Sequence, residues 1–360
     1  MNATRELHEL GQRLWLDNIT REMLDDGTLR RYVDELSVTG LTSNPTIFDE
    51  AIGGSGAYDA AIREGAAAGL SGEALFLSLA LDDLRRAADL FRPIFDATGG
   101  VDGWVSMEVS PLLASDAQGT IDAARRIHAQ AARPNLFVKI PGTPEGIDAT
   151  EESIYAGVPV NVTLLFSREQ YLAAAEAYLR GIERRIEAGR DPHVASVASL
   201  FVSRWDRAVA ARVPEALRNR LGIAVGARTY RAYRELLASP RWSRLAAAGA
   251  LPQRLLWAST GTKDPAAPDT LYVEALAAPD TIDTMPEKTL RAVADHGRLR
   301  GVLAADGGDA EDVLAEFARA GVDVDALAAD LQREGAASFV KSWHQLLQRI
   351  AEKSAALERA

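Results

Sequence analysis

Leu136-Phe137-Val138-Lys139-Ile140-Pro141-Gly142-Thr143-Pro144 places a single lysine inside a short apolar run that stops at Pro-Gly. A run that is apolar on both parities is how a strand covered on both faces of a parallel sheet reads. Lys139 interrupts it, and a lysine is rarely buried without a partner or a task. Burial disfavours an ammonium, which is how a lysine becomes a nucleophile toward a carbonyl carbon. The plainer reading is a strand-end lysine that snorkels to water or pairs with a carboxylate. The rest of the chain decides between the two.

Upstream of that strand, Trp104 to Val109 reads as another, ending at Ser110-Pro111. Val38 to Leu41 leads into Thr42-Ser43-Asn44-Pro45, and Leu14-Trp15-Leu16 ends at Asp17-Asn18. Residues 72–97 have helical spacing, whereas 49–69, rich in Gly and Ala, read as irregular chain before a helix. Thr46 and Asp49 resemble a helix N-cap pair. Downstream, Val158 to Phe166 is a further strand, and Ser167 with Gln170 forms a capping box for the helix carrying Tyr171, Ala175, Leu179, Ile182 and Ile186. Val194 to Val202 and Leu255 to Ser259 follow as strands, with 223–250 helical between them. A last short strand lies near Thr281-Ile282-Asp283, with Thr284 and Glu287 expected to cap the helix after it.

Strands that alternate with helices, with no hairpin dipeptide between neighbours, imply a parallel sheet with right-handed crossovers. Roughly eight such units in about 300 residues fit an α/β fold, a closed (β/α)8 TIM barrel, whose active sites lie at the C-terminal ends of the strands. A doubly wound open sheet would need a Gly-rich turn after the first strand, and Leu16-Asp17-Asn18 is not one. Residues 1–300 are read as the barrel catalytic domain. After Gly301 and Gly307-Gly308 the pattern changes to long helix over 323–356. Residues 301–360 are read as additional C-terminal helices packed on the barrel within the same domain, one of them expected across the barrel mouth.

A chain of 360 residues with 47% hydrophobic and 25% charged residues can bury a large core. Its net charge of −11 argues against nucleic acid or an anionic membrane as general partners. With no cysteine, disulfides, thiolate catalysis and cysteine-ligated metals are excluded. The first residues include Arg5, Glu6, Glu9, Arg13 and Asp17 without an apolar core, so they do not read as a secretory signal. No stretch approaches 18 consecutive apolar residues, the length of a membrane span. The expectation is a cytoplasmic protein. His8, His128, His193, His296 and His344 are scattered with no close ligand pair, so no metal is expected.

Polar residues recur where the strands stop: Asp17, Thr42 with Asn44, Glu108, Lys139, Asn161 with Thr163, Ser199 and Ser259. In a barrel these ends converge on one mouth. Each alone has a plainer explanation: Asp17 as a helix cap, Asn44 as the start of an Asn-Pro turn, Glu108 as an ion-pair partner for Lys139. Their coincidence on one face suits Schiff-base carbon–carbon cleavage. A neutral lysine adds to a ketone and loses water to give an iminium, a step that needs an acid/base group working through a water. Glu108, with Thr163 holding the water, suits that task. A second carboxylate, Asp17, would take the hydroxyl proton as the bond breaks, while Asn44 and Asn161 hydrogen-bond the substrate.

Leu16-Asp17, Thr39-Gly40-Leu41-Thr42-Ser43-Asn44-Pro45, Ser106-Met107-Glu108-Val109-Ser110, Phe137-Val138-Lys139-Ile140-Pro141 and Asn161-Val162-Thr163-Leu164-Leu165-Phe166-Ser167 together resemble transaldolase. The resemblance implies Lys139 as the Schiff-base lysine, Asp17 as the acid/base for cleavage, and Glu108 with Thr163 around the catalytic water. It implies Asn44 and Asn161 as dihydroxyacetone-binding groups. Ser199-Leu200-Phe201-Val202-Ser203-Arg204 is similar to the family's Ser-x-Phe-x-x-Arg, which puts Ser199 near the ketose fragment, Phe201 against the site and Arg204 at the phosphate. Ser259 also matches. Many transaldolases carry an arginine two residues on, but here stand Gly261 and then Thr262-Lys263, which makes Lys263 the candidate second cation. The Ala-Ser-Thr-Gly-Thr-Lys-Asp-Pro form resembles a long actinobacterial- or plant-type branch.

The activity so implied is transfer of a dihydroxyacetone unit between sugar phosphates in the non-oxidative pentose phosphate pathway, without a cofactor, by a monomer or homodimer. A fructose-6-phosphate-type aldolase is the nearest alternative; there a glutamine and a tyrosine stand where Glu108 and Phe201 are, and the C-terminal extension is missing. A non-catalytic sugar-phosphate-binding barrel is the alternative of another class, since fold does not fix function.

Overall fold

The computed structural model describes residues 2–359. Eight parallel strands close into a barrel in sequence order. They are β1 (Arg13–Asp17), β2 (Val38–Thr42), β3 (Val105–Glu108), β4 (Leu136–Pro141), β5 (Val160–Leu165), β6 (Ser196–Phe201), β7 (Gln253–Ala258) and β8 (Ile282–Met285). Every residue of β2 to β8 is buried, as strands enclosed by a ring of helices must be.

Alternation along each strand sorts the barrel interior into layers. Trp15 and Asp17 share one face of β1, and Phe137 and Lys139 share one face of β4. The lower layer is aromatic: Phe137 stacks on Trp104 with centroids 4.0 Å apart and lies 6.1 Å from Trp15. Gly40 makes this possible, because a Cβ there would stand 2.6 Å from the Trp104 carbonyl and 2.7 Å from the Trp15 indole nitrogen. The layer above it, one step toward the strand C-termini, is polar. Register pairs Asp17 with Thr42, Glu108 with Lys139, and Lys139 with Asn161.

Several local readings need correction. Residues 49–69 are helical over Pro45–Gly54 and Asp59–Ala67. Asn44, not Thr46, caps the first of these: its side chain accepts from Ile47 N at 3.0 Å, and Pro45 follows at the first helical position. Residues 223–250 divide at Pro240 into Leu221–Leu237 and Pro240–Ala247. Thr284 lies inside β8 and does not cap the next helix, Glu287–His296, whose N-cap is Pro286. The helix 72–97 and the Ser167–Gln170 capping box stand as read.

One 36-residue helix, Val324–Arg359, ends the described chain. It packs along Pro45–Gly54, Asp59–Ala67 and Gly72–Ala97 and crosses β5. Trp343 meets Phe76 edge-on at 5.2 Å, and Phe76 in turn meets Phe48 at 5.3 Å. Lys353 donates to Ile52 O at 2.8 Å and pairs with Asp59 at 2.9 Å. Among the described residues no helix is long and apolar enough to cross a membrane.

Candidate active site

Lys139 is 6% exposed and projects from β4 into the barrel. Its Nζ lies 2.5 Å from Glu108 Oε1 on the neighbouring strand and donates to Ser43 O at 2.9 Å. The lysine is therefore both buried and partnered. Burial pushes the Glu108 carboxyl above the ordinary range, a rise that the Lys139 charge only partly offsets. A carboxylate that holds a proton more readily than usual, in contact with an amine, is suited to relieve that amine of its proton.

Asp17 ends β1 in the same polar layer. Its Oδ1 accepts from Thr42 Oγ1 at 2.8 Å, and Thr42 shares a 2.6 Å hydrogen bond with Thr284 of β8. Burial raises the Asp17 carboxyl too, against the pull of Lys139, Thr42 and Lys263. Below Lys139, Ser199 Oγ donates to Asn161 Oδ1 at 2.7 Å, and Asn161 Nδ2 donates to Ser106 Oγ at 3.3 Å. That row ties β3, β5 and β6 and fixes the amide on the barrel axis side of β5.

Thr163 is two residues beyond Asn161 on the same face of β5. Its Oγ1 is buried and has no hydrogen-bond partner among the described residues. It borders a narrow cavity with Glu108 and Lys139, roofed by Ala336 and Phe339 of the last helix. The space open to the centre of a water is about 20 Å³. One water needs roughly 10–15 Å³ on that measure and two or more polar neighbours. By volume the cavity has room for one water beside Glu108, Lys139 and Thr163.

At the rim, the Arg204 guanidinium lies 5.0 Å from the centroid of the Phe201 ring. Burial, then the charge of Arg207, holds its pKa below the usual arginine value. Phe201 leans on Phe166 at 5.3 Å. Ser259 takes a left-handed φ of 58°, and its hydroxyl bonds to Ser203 Oγ at 2.9 Å. Leu164 has the same φ of 58°. For a residue with a side chain this conformation costs about 1–2 kcal/mol and marks places where the surroundings dictate the backbone. Lys263 is exposed on the loop after β7. Asn44 keeps its side-chain oxygen on the helix cap, one residue beyond the Ser43 carbonyl that holds Lys139.

The barrel thus brings Asp17, Glu108, Lys139, Asn161, Thr163 and Ser199 together at its strand C-terminal ends, with Arg204, Ser259 and Lys263 on the segments that follow β6 and β7. A family described as Transaldolase/Fructose-6-phosphate aldolase matches residues 14–350. The chain belongs to that family. A transaldolase of Frankia alni is 46% identical over 98% of this chain and 97% of its own length. One from Thermobifida fusca is 45% identical over 98% of both, and one from Neisseria gonorrhoeae 42% identical over 96% of this chain and 99% of its own.

Sequence reasoning missed part of the site of this family member. Ser106 carries the same parity signal as Glu108 and was open to the same argument. Thr284 was hidden by its reading as a cap. Gln332, Gly335, Ala336 and Phe339 approach from the last helix, and nothing in their spacing announces which strand ends they meet.

Proposed function

We propose that the protein is a transaldolase, an enzyme of the transferase class. It would move a dihydroxyacetone unit from a ketose phosphate, sedoheptulose 7-phosphate or fructose 6-phosphate, to an aldose phosphate, glyceraldehyde 3-phosphate or erythrose 4-phosphate. The observation that carries the reading is the buried Lys139 amine in contact with Glu108, with Asp17 and Thr163 at neighbouring strand ends.

The proton on Nζ passes to the Glu108 carboxylate, and the freed amine adds to the ketone carbon. The carbinolamine so formed loses its hydroxyl as water, with the proton supplied from Glu108 through the water that Thr163 helps to hold. The result is an iminium on Lys139. Asp17 takes the proton from the hydroxyl on the far carbon of the bond to be broken, the carbon that becomes the aldehyde of the leaving aldose. That bond's electron pair moves to the iminium, giving an enamine, and the aldose leaves. An acceptor aldehyde then takes the enamine carbon and receives a proton from Asp17, and water returns to release the new ketose. Asn44, Asn161 and Ser199 would bind the three-carbon unit.

Arg204 would bind the phosphate, stacked on Phe201 and fixed in direction. Lys263 supports its reading as the second cation by position. Its Nζ lies 3.7 Å from where a Cβ on Gly261 would stand, in the space that an arginine at 261 would occupy. Ser259, beside it, would complete that subsite. The reading includes a cytoplasmic setting and a monomer or homodimer.

Borohydride reduction in the presence of fructose 6-phosphate, followed by peptide mass mapping, tests this. The adduct is expected on Lys139 and absent from Lys139→Ala. Labelling elsewhere, or surviving that substitution, defeats the mechanism. Free dihydroxyacetone formed as fast as transfer would place the enzyme with the aldolases of its family.

A further inference from the structure

From the helix Val324–Arg359, Gln332 Nε2 donates to Gly142 O at 2.9 Å and to Leu164 O at 3.0 Å. These carbonyls lie at the ends of the two strands that carry Lys139 and Thr163. Gly142 N in turn donates to Thr163 O at 2.7 Å. Two hydrogen bonds therefore reach Thr163-Leu164, one from Gln332 and one from Gly142, and Gln332 also holds Gly142 through its carbonyl. Leu164 is the residue held at φ 58°, and the β5–β6 register shifts between Val162 and Leu165. Regular strand geometry does not fix this backbone, so contacts from outside the sheet must.

Thr163 Oγ1 has no hydrogen-bond partner among the described residues. No hydrogen bond fixes its direction, so its backbone must. Gln332 holds that backbone at the next residue, Leu164, and through Gly142, whose N–H donates to Thr163 O. The same helix turn continues to Ala336, with Phe339 beyond, which close the cavity over Glu108, Lys139 and Thr163.

We infer that Gln332 is a positioning residue for the Schiff-base steps. It fixes the left-handed turn at Leu164 and so aims the Thr163 hydroxyl at the water between Thr163 and Glu108. The inference rests on the proposed transaldolase reading. In the forward step the carbinolamine C–O bond breaks and its oxygen leaves as water after taking a proton from the Glu108 side. In the release step water adds to the iminium carbon and gives a proton back to Glu108. Both need the hydroxyl in place, and neither touches Gln332.

A double-substitution cycle tests this on the full-length enzyme. The reading is the single-turnover rate at which the borohydride-trappable adduct forms with fructose 6-phosphate. Gln332→Met, similar in length but without donors, is expected to slow it roughly 10-fold, and Thr163→Ala by at least as much. The double variant is expected to be no slower than Thr163→Ala within about twofold, because Gln332 acts through that hydroxyl. Gln332→Lys, which returns a donor at similar reach, is expected to recover most of the rate. Effects that multiply in the double variant, a wild-type rate in Gln332→Met, or no recovery with lysine each overturn the inference, whatever happens to the melting temperature. If Gln332→Met does not fold, Gln332→Glu takes its place in the cycle with the same expectations. An unmodified enzyme that forms no adduct defeats the transaldolase reading instead.

Discussion

Lys139 Nζ and Glu108 Oε1 lie 2.5 Å apart between adjacent barrel strands, each side chain less than a tenth exposed. Two charges out of water are tolerable only together, and removing one strands the other. Glu108→Gln is therefore expected to cost roughly 10²-fold in kcat, as loss of an acid/base group does. It should also lower the melting temperature. Lys139→Met combined with Glu108→Gln leaves neither charge and is expected to melt above Glu108→Gln alone, which calorimetry checks. A double variant less stable than that single variant would mean that the pair is not the stabilising unit.

The strands were legible because burial on both faces leaves an unbroken apolar run, and the polar residue that ends each run stands out against it. Lys139, Glu108 and Asp17 could be located that way. Each alone also read as an ion pair or a cap, and only their coincidence at the strand ends and the family resemblance set them apart. Residues 49–69 were misread because Gly53-Gly54-Ser55-Gly56 suggests irregular chain, whereas the helices on either side are held by packing against Val324–Arg359. Propensity yields there to tertiary contact. Gln332 was illegible for a related reason: its partner carbonyls are 190 and 168 residues away, and a helical period does not say which strand a face will meet.

In the role proposed for it, Asp17 must be ionised to accept a hydroxyl proton, and burial raises its pKa. Activity should accordingly fall as pH drops through a value above the ordinary aspartate range. Thr42 donates to this carboxylate and favours its charged form. Thr42→Val removes the donor, so the acid limb of kcat/KM is expected to move to higher pH. A pH–rate profile of the two enzymes decides it; a limb that stays put or moves down counts against Asp17 as the base.

Lys263 is exposed, and a lysine in the proposed phosphate subsite would bind as a point charge. Lys263→Met is expected to raise KM for fructose 6-phosphate roughly 10-fold with little change in kcat, the pattern of lost uniform binding. Initial-rate kinetics with fructose 6-phosphate and with unphosphorylated fructose separate the outcomes. Equal effects on both donors would remove Lys263 from the phosphate site.

Gly335 lies where the last helix passes over the rim. A Cβ there would stand 3.0 Å from Leu164 Cδ2 and 3.1 Å from Arg204 Nη1. Contacts that tight oblige a neighbour to move by a few tenths of an ångström, and the arginine is held mainly by stacking on Phe201. Gly335→Ala is expected to raise KM for phosphorylated ketoses several-fold, roughly 1 kcal/mol of misplaced charge. Unphosphorylated fructose should be affected less. If both donors lose the same factor, the added methyl acts on Leu164 and not through Arg204.

Asp283 lies outside the polar layer of the barrel, on the opposite face of β8 from Thr284. It is fully buried, accepts one hydrogen bond from Thr260 Oγ1 at 2.7 Å, and its Oδ2 has no partner among the described residues. Burial raises its pKa from 3.8 to about 7, and the Thr260 hydrogen bond offsets only part of the rise. The folded protein therefore keeps this proton up to about pH 7, whereas the unfolded chain releases it near 3.8. Between those values the native state binds more protons than the unfolded one, so stability falls as pH rises. The loss begins near pH 4, is complete just above 7, and is on the order of 4 kcal/mol for this one group. Asp283→Asn keeps an oxygen for Thr260 and does not titrate. Urea midpoints at pH 5, 6, 7 and 8 are expected to decline less steeply in the variant, which should exceed the parent enzyme in stability at pH 8. Parallel slopes in the two proteins would show that Asp283 is ionised in the fold, with a cation or a water network compensating for its burial.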